Sequence, residues 1–211
     1  EGTFLRFTTN HPRDLDAATV AVLASGRNVA RHLHLPLQSG SDRVLHAMNR
    51  GYDLARYVDV VNRVRRAVPD ICLTTDLLVG FPGETEADFE ATYAAVEDLR
   101  YDSAYVFLYS PRPGTAAAAL DDDVPRAEKV RRLQYLGARQ REIAREINEA
   151  LVGQEKTALV EGQSKKAAGE LAGRLSENKI VNFRGSAAPG EFVRVKLTSA
   201  SSWTLRGEQI P

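Results

Sequence analysis

Residues 74–85, which read TTDLLVGFPGET, decide the fold. The segment 72–81 is rich in apolar residues, a composition typical of strands that are covered on both faces in a parallel α/β sheet. Glycine and proline at positions 80–83 then break the strand. Thr85, with Asp88 three residues later, has the spacing of a helix cap. We therefore expect a buried strand that runs through a tight turn into a helix.

One side chain of this strand, Asp76, is a carboxylate among apolar neighbours. A buried carboxylate costs free energy unless it is paired or hydrogen-bonded. Two interpretations stay open. Asp76 could be a structural residue with satisfied hydrogen bonds, or it could contact a ligand at the carboxyl end of the sheet, where α/β proteins place their chemistry.

The same alternation of strand and helix extends on both sides of this segment. Strands are predicted at residues 3–8, 29–37, 72–81 and 103–109. Strict alternation implies right-handed crossovers and a parallel sheet. About four strand–helix units do not close an eight-stranded barrel, so the predicted fold class is α/β, with a sheet that is either open or an incomplete TIM-type barrel.

Each of the four predicted strands ends in a polar turn. The turns lie at residues 10–11, 38–39, 80–83 and 112–114. Because a parallel sheet brings its carboxyl ends to one edge, we expect the turns to converge on a ligand site, with His11 and Arg112 at its mouth. His11 could equally be a loop residue without a role.

Two histidines, His32 and His34, share one face of the second predicted strand. Same-face histidines can bind a metal. With no third ligand in view, packing or hydrogen bonding inside the barrel is the favoured interpretation.

After Gly153 the helical pattern stops, and five short strands are predicted at residues 155–161, 171–175, 179–183, 191–198 and 203–207. This pattern favours a small antiparallel β-barrel of the oligonucleotide-binding kind. We therefore expect two domains, a partial barrel with a connecting helix at residues 1–149 and the small barrel at residues 150–211.

The second domain has the charge of a nucleic-acid-binding domain. Residues 150–211 carry nine Lys/Arg and six Glu, a net +3, whereas the rest of the chain is net −3. Basic side chains among aromatic ones suit single-stranded nucleic acid. The candidate RNA-binding residues are Lys165, Lys166, Arg174, Lys179 and Arg206. The alternatives are an ordinary solvated surface and aromatic residues (Phe183, Phe192 and Trp203) that form the barrel core.

The chain has a single cysteine, Cys72, which excludes an intrachain disulfide and any all-cysteine iron–sulfur site made by this chain alone. Cys72 is expected to be an inert core residue, and no metal site is expected in the chain. No stretch approaches the ~20 apolar residues of a membrane span. A cytoplasmic location follows as the expectation. Because residue 1 lies at the edge of a predicted strand, we also expect a fragment of a longer protein.

Several long motifs, in one order, resemble those of the radical S-adenosylmethionine methylthiotransferases, and the MiaB type that modifies tRNA in particular. They are RFTTNHP (6–12), HLHLPLQSGSDRVL (32–45), MNRGY (48–52), TTDLLVGFPGET (74–85) and YSPRPGT (109–115). The segment from residue 151 onward, ending in WTLRG at 203–207, is similar to the TRAM domain of the same family.

The resemblance implies an enzyme that adds a methylthio group to carbon 2 of N6-isopentenyladenosine beside the anticodon of tRNA. It implies S-adenosylmethionine and two 4Fe-4S clusters as cofactors. One cluster would generate a 5′-deoxyadenosyl radical from S-adenosylmethionine, and the other would take part in sulfur delivery. The family's cluster cysteines are absent here, so we expect this chain alone to be inactive. By resemblance, the region that holds S-adenosylmethionine includes Gln38, Ser39, Ser41, Asp76, Val79 and Gly80; no catalytic side chain is implied.

Other functions stay open. Related branches of the family modify threonylcarbamoyl adenosine in tRNA or a ribosomal protein, although the segments 10–12 and 35–41 favour isopentenyladenosine. Residues 150–211 could act as a stand-alone RNA-binding module, and the glycine turns could belong to a TIM-type enzyme of phosphorylated metabolites. An opened barrel also exposes sheet edges and apolar surface, so we expect self-association.

Overall fold

The computed structural model describes residues 5–7, 11–26, 28–165 and 169–211. The helices are α1 (Ala17–Ser25), α2 (Asp42–Ala47), α3 (Leu54–Ala67), α4 (Glu86–Leu99) and α5 (Arg126–Glu149), with short 3-10 helices at Pro12–Asp14 and Ala116–Ala119. The strands are β1 (His32–His34), β2 (Cys72–Val79), β3 (Ser103–Leu108), β4 (Glu155–Gln163), β5 (Leu171–Leu175), β6 (Ile180–Arg184), β7 (Phe192–Ala200) and β8 (Thr204–Ile210). Within the described ranges, no helix combines the length and the apolar composition that a membrane crossing requires.

The first three strands form a parallel sheet in the order β1-β2-β3. A parallel sheet is therefore confirmed, and three of the four predicted strands belong to it. The first predicted strand, residues 3–8, supplies one isolated parallel bridge between Leu5 and Val29. The rest of that predicted strand, except Arg6 and Phe7, lies outside the described residues.

The strand predicted over residues 29–37 is reduced to β1 because Pro36 interrupts its ladder. Leu35 still donates its N–H to Thr74 O at 2.8 Å, but proline has no N–H to donate. The next amide, on Leu37, donates instead to the Thr75 hydroxyl at 2.8 Å. Pairing with β2 resumes as a bridge at Gln38, whose φ of 72° lies in the left-handed region.

The helices cover one face of the sheet and form the main core with it. On β2, the side chains of Leu73, Leu77 and Val79 point to this covered face and are no more than 1% exposed. Two buried tyrosines extend the core, since Tyr101 donates its hydroxyl to Tyr57 at 3.1 Å, and Tyr57 donates to Leu35 O at 2.7 Å. The alternate β2 side chains lie on the opposite face, which faces a cavity.

The last five strands close into a barrel in the order β4-β5-β6-β8-β7. Five short strands and a closed barrel are confirmed. The description of the barrel as antiparallel is wrong at one point, because β6 and β8 run parallel, with Val181 opposite Leu205. A separate apolar core fills the barrel, and Phe183 at its centre is fully buried.

Two glycines give a test of the packing between the turn after β1 and α4. A Cβ on Gly40 would lie 2.4 Å from Ala91 O and 2.6 Å from Thr92 Cα, whereas a Cβ on Gly137 in α5 meets nothing closer than 3.6 Å. We expect Gly40→Ala to lower the free energy of unfolding by about 1–3 kcal/mol through overpacking. Gly137→Ala should raise it by about 1 kcal/mol through helix propensity. Urea unfolding measures both, and equal effects would contradict the described contact.

Candidate functional site

The carboxyl ends of the three strands lie at one edge of the sheet, as the sequence predicts. Gln38 bridges to Leu77, and Tyr109 donates its N–H to Val79 O at 2.9 Å, so the segments that follow β1, β2 and β3 start side by side. The rings of Phe81 and Tyr109 then meet edge to face with centroids 5.3 Å apart. The turns after the three strands therefore converge.

The serines of the first turn are occupied by protein contacts. Ser39 is fully buried, with its hydroxyl 3.2 Å from that of Thr92 on α4. Ser41 caps α2 and donates its hydroxyl to Asp88 at 2.6 Å. Asp88 also accepts from Arg43 and forms the predicted capping box with Thr85, and these hydrogen bonds hold the pKa of Asp88 far below its usual range against the opposing effect of burial. The turn thus joins β1 to α4.

The second turn is held from above by α5. Gly80 has a φ of 72°, and a Cβ there would overlap the side chain of Lys129, which passes over it. The Gly80 N–H donates to the carboxylate of Glu84 at 2.5 Å, and Arg132 pairs with the same carboxylate at 2.8 Å. Burial raises the pKa of Glu84 despite these partners. Val79 presents only backbone to this turn, because its side chain is in the core.

The two residues expected at the mouth differ in their surroundings. His11 accepts a hydrogen bond from the Arg13 N–H and lies edge-on to the ring of Tyr52. The Tyr52 hydroxyl in turn donates to Leu37 O, directly before the first turn. Burial lowers the pKa of His11. Arg112 is exposed in the loop after β3. His11 is thereby connected to the convergent edge, while Arg112 extends into solvent beside it.

A cavity of about 1010 Å³ opens on the uncovered face of the sheet. Four polar side chains lie in a row across its floor. The Thr74 hydroxyl lies 3.0 Å from His32 Nε2 and 3.0 Å from His34 Nδ1, and His34 Nε2 lies 3.4 Å from the Asp76 carboxylate. The favoured interpretation of the histidines, hydrogen bonding on the interior face, is confirmed. Thr74 was not among the predicted site residues, although its two-residue spacing from Asp76, which places both side chains on one face of β2, was the available signal.

Of the six residues predicted to bind the cofactor, Asp76 is the one that lines this cavity. Its side chain is 28% exposed. The Gln38 side chain is half-buried at the end of the same bridge. The other four candidates lie at the same edge of the sheet, and their side chains or backbone groups are in contact with the protein itself: Ser39, Ser41, Val79 and Gly80. The role of all six in binding a cofactor stays a prediction.

The small barrel closes the amino-terminal end of the cavity through an ion pair. Lys179 Nζ lies 2.6 Å from the Asp102 carboxylate, and each side chain is 11% exposed. Asp102 also accepts the Leu73 N–H at 2.8 Å, and Lys179 donates to Asn148 Oδ1 at 2.8 Å. Lys179, predicted to bind RNA, is therefore turned toward the other domain instead of solvent.

The other RNA candidates are distributed over the barrel surface. Lys165 is exposed, and Lys166 lies outside the described residues. Arg206 is 56% exposed and pairs with Glu170, whereas Arg174 is 22% exposed and pairs with Glu161. Of the three aromatic residues, only Phe183 is in the core, while Trp203 is 66% exposed. Their contacts with RNA stay predictions.

The described residues do not form an iron–sulfur site. Across the described part of the chain, no group of three or more His, Cys, Asp or Glu has the geometry of a metal site. The single cysteine, Cys72, is buried at the start of β2, and burial raises the pKa of its thiol well above the usual range. A buried thiol of this kind disfavours the thiolate that a cluster needs.

Comparison with known protein families gives two matches. Residues 1–96 match the radical SAM superfamily, and residues 149–210 match the TRAM domain. The sequence is also 46% identical, over 98% of its length, to a tRNA-2-methylthio-N(6)-dimethylallyladenosine synthase of Nitrosospira multiformis. The chain therefore carries a radical SAM region and a TRAM domain, and it is similar over nearly its whole length to these synthases.

Further relatives carry the same name. The identity is 46% to the synthase of Bacillus subtilis and 47% to that of Moorella thermoacetica, again over 98% of this chain. The chain covers 44%, 41% and 47% of the Nitrosospira, Bacillus and Moorella proteins, so it spans less than half the length of the curated relatives it matches.

A solved structure supports the fold of the first domain. Coproporphyrinogen III oxidase (HemN) of Escherichia coli, described as a radical SAM enzyme, matches 63% of this chain and 31% of its own with a TM-score of 0.53 and 24% identity. At this identity the likeness concerns the fold alone. The fold of the chain is therefore similar to that of this enzyme, in agreement with the radical SAM match of residues 1–96.

The buried His32 gives the chain a specific pH dependence. Burial, followed by the nearby His34, lowers the pKa of His32 from 6.5 to about 4. Between these values the unfolded chain binds a proton that the folded chain excludes, so stability should fall as the pH falls through this window. At 1.36 kcal/mol per pH unit, about 2 kcal/mol should be lost between pH 6.5 and 5.

Urea unfolding at several pH values measures this loss, and His32→Gln is the control. The variant removes the titrating group, so its stability should depend less on pH over the same window. Because His11 is kept in both proteins, its contribution cancels in the comparison. Parallel profiles for the two proteins would show that His32 takes up its proton as readily in the folded state as in the unfolded state, which would contradict the lowered pKa.

Proposed function

We propose that this chain is the later part of a tRNA methylthiotransferase that adds a methylthio group to carbon 2 of N6-isopentenyladenosine beside the anticodon. The observation that carries the proposal is the continuous match of about 46% over 98% of the chain to synthases named for this product. The match crosses both domains, so it includes the catalytic sheet and the barrel together. The enzyme would act in the cytoplasm, on tRNA.

The convergent edge of the sheet is the proposed position of S-adenosylmethionine. Two side chains would hold its polar groups: Asp76, which lines the cavity, and Gln38, which is half-buried at the bridge to Leu77. Ser39, Ser41, Val79 and Gly80 would shape the edge through their backbone and their contacts with α4 and α5. When bound, the cofactor supplies the radical that side chains cannot generate.

The two 4Fe-4S clusters do not fit this chain. The buried Cys72 cannot supply the several thiolates that each cluster requires. The whole enzyme would obtain its cluster ligands from sequence other than these 211 residues. The chain by itself is accordingly proposed to be inactive, with residues 1–149 contributing the sheet edge and residues 150–211 the RNA-binding barrel.

The uncovered sheet face supports the further proposal of self-association in the isolated chain. Leu5, Tyr105 and Phe107 are more than half exposed there and line the same cavity. Exposed apolar surface of this kind favours association between copies.

A chimera tests the catalytic proposal. The matching segment of the Bacillus subtilis relative is replaced by this chain, and 2-methylthio nucleosides in tRNA are measured by mass spectrometry in cells that lack their own enzyme. We expect modification to persist. Asp76→Asn in the chimera should reduce the rate of modification about tenfold or more, which corresponds to ~1.4 kcal/mol of transition-state stabilisation. The same variant should bind S-adenosylmethionine more weakly in equilibrium dialysis.

Asp98→Asn, an exposed aspartate on α4, serves as the matched control and should leave both measurements unchanged. A folded chimera without modification, or an unaffected Asp76→Asn variant, would contradict the assignment of the chain or of Asp76 respectively.

A second candidate function, RNA binding by the chain itself, is favoured by the net +3 charge of residues 150–211 and by the TRAM match. Binding of tRNA at low salt should weaken steeply as salt rises, because phosphate contacts release counterions. Lys165→Ala should weaken binding and lower the slope of log K against log salt by about one.

Filter binding or fluorescence anisotropy with tRNA measures both quantities. Arg66→Ala, an exposed cation on α3, is the control and should have no effect. If tRNA does not bind even at low salt, the chain lacks this function.

A further inference from the structure

A second hollow, of about 260 Å³, lies between α5, β3 and the turn that joins β7 to β8. Its lining includes one exposed aromatic ring, one cation and a buried amide, contributed by Trp203, Arg141 and Gln140. The hollow is separate from the convergent edge of the sheet, and Trp203 stands between it and the larger cavity, since the residue lines both.

The ring of Trp203 is 66% exposed although its turn is well fixed. Ser201 Oγ accepts the N–H groups of Trp203 at 3.3 Å and Thr204 at 3.1 Å. Asn148 on α5 donates its amide to Ser201 O at 2.8 Å. A tryptophan held in solvent by a fixed turn forgoes the burial that its large apolar surface favours, and it offers a flat surface for stacking.

The side-chain oxygen of Gln140 is a hydrogen-bond acceptor to which no described group donates. The side chain is 4% exposed, and its Nε2 donates to Tyr101 O at 2.7 Å, which fixes the amide. Its Oε1 is buried and has no hydrogen-bond partner among the described residues. A buried polar atom in this state costs free energy that a ligand with an N–H group would recover.

Arg141 supplies a free positive charge at the same place. It is exposed and makes no ion pair within the ranges that the structure describes, whereas Arg139 pairs with Glu97 and Arg145 lies 3.6 Å from Glu149 on the same helix. An unpaired guanidinium beside an aromatic ring is the arrangement that single-stranded nucleic acid uses, with the base on the ring and the phosphate on the cation.

We propose that this hollow binds one nucleobase of a single-stranded RNA segment, an inference that rests on the RNA-binding function proposed above. The base stacks on Trp203, its exocyclic amino group donates to Gln140 Oε1, and the adjoining phosphate lies against Arg141. Adenine, cytosine and guanine carry such an amino group and uracil does not, so the hollow discriminates against uracil. The net positive charge of the barrel favours RNA as the occupant over an apolar peptide without acidic residues.

Trp203 is the only tryptophan of the chain, so its fluorescence reports on this hollow directly. The full chain is titrated with fluorescently labelled oligoadenylate, oligocytidylate and oligouridylate at low salt, and affinity is read from the anisotropy of the label. We expect quenching of Trp203 by the first two and weaker binding of oligouridylate. Trp203→Ala should weaken oligoadenylate binding about fivefold or more. Arg141→Ala should lower the salt slope by about one without abolishing the quenching.

Tyr135→Ala is the matched control, since Tyr135 is 54% exposed on α5 and lines neither cavity. It should leave oligonucleotide affinity unchanged. If the oligonucleotides bind while Trp203 emission and the affinity of Trp203→Ala stay unchanged, this inference is overturned and the RNA-binding function stands. If none of them binds, both fail. A blue shift of Trp203 emission with protein concentration, in the absence of RNA, would assign the ring to a contact between copies and overturn the proposal.

Discussion

The buried pair between Asp102 and Lys179 joins the two domains. It lies at the amino-terminal end of the sheet, where Asp102 accepts a hydrogen bond from the backbone of β2. Lys179 is the residue directly before β6 of the barrel. The net stability from such a pair is small, because desolvation offsets most of the attraction. Removing one partner, however, leaves an uncompensated charge at a cost of about 3–5 kcal/mol. The pair therefore acts mainly on the orientation of the barrel.

Both cavities depend on that orientation. The larger one is bounded by the sheet face on one side and by barrel residues such as Asn178 and Ile180 on the other. The smaller one depends on Asn148, which contacts Lys179 with its oxygen and Ser201 with its nitrogen. One amide thus connects the ion pair to the turn that presents Trp203. The sheet edge proposed to hold a cofactor and the barrel proposed to bind RNA are thereby held in a fixed relation, as the proposed action on one nucleotide of a large substrate would require.

Local features of this chain were predictable from sequence. The turn after β2, the capping box at Thr85 and the five barrel strands all arise from residues that are near each other along the chain. The motifs of residues 32–45 and 74–85 likewise indicated the family before any geometry was known. Features that depend on distant partners were not predictable. The hydroxyl of Ser39 meets Thr92, and the ammonium of Lys179 meets Asp102, in contacts that no periodicity encodes. A lysine near a barrel surface gives the same sequence signal whether it is buried in a pair or free.

The parallel contact between β6 and β8 has a consequence for the order in which the protein folds during synthesis. β8 is bonded to β6 on one side and to β7 on the other, so it is the strand that completes the ring. Until Ile210 has left the ribosome, β6 and β7 each present an unpaired edge, and the apolar interior around Phe183 stays accessible to water. Domains generally fold in order during synthesis. Here the described sheet can assemble while the barrel strands are still being made, whereas the barrel can close only after β8 has emerged.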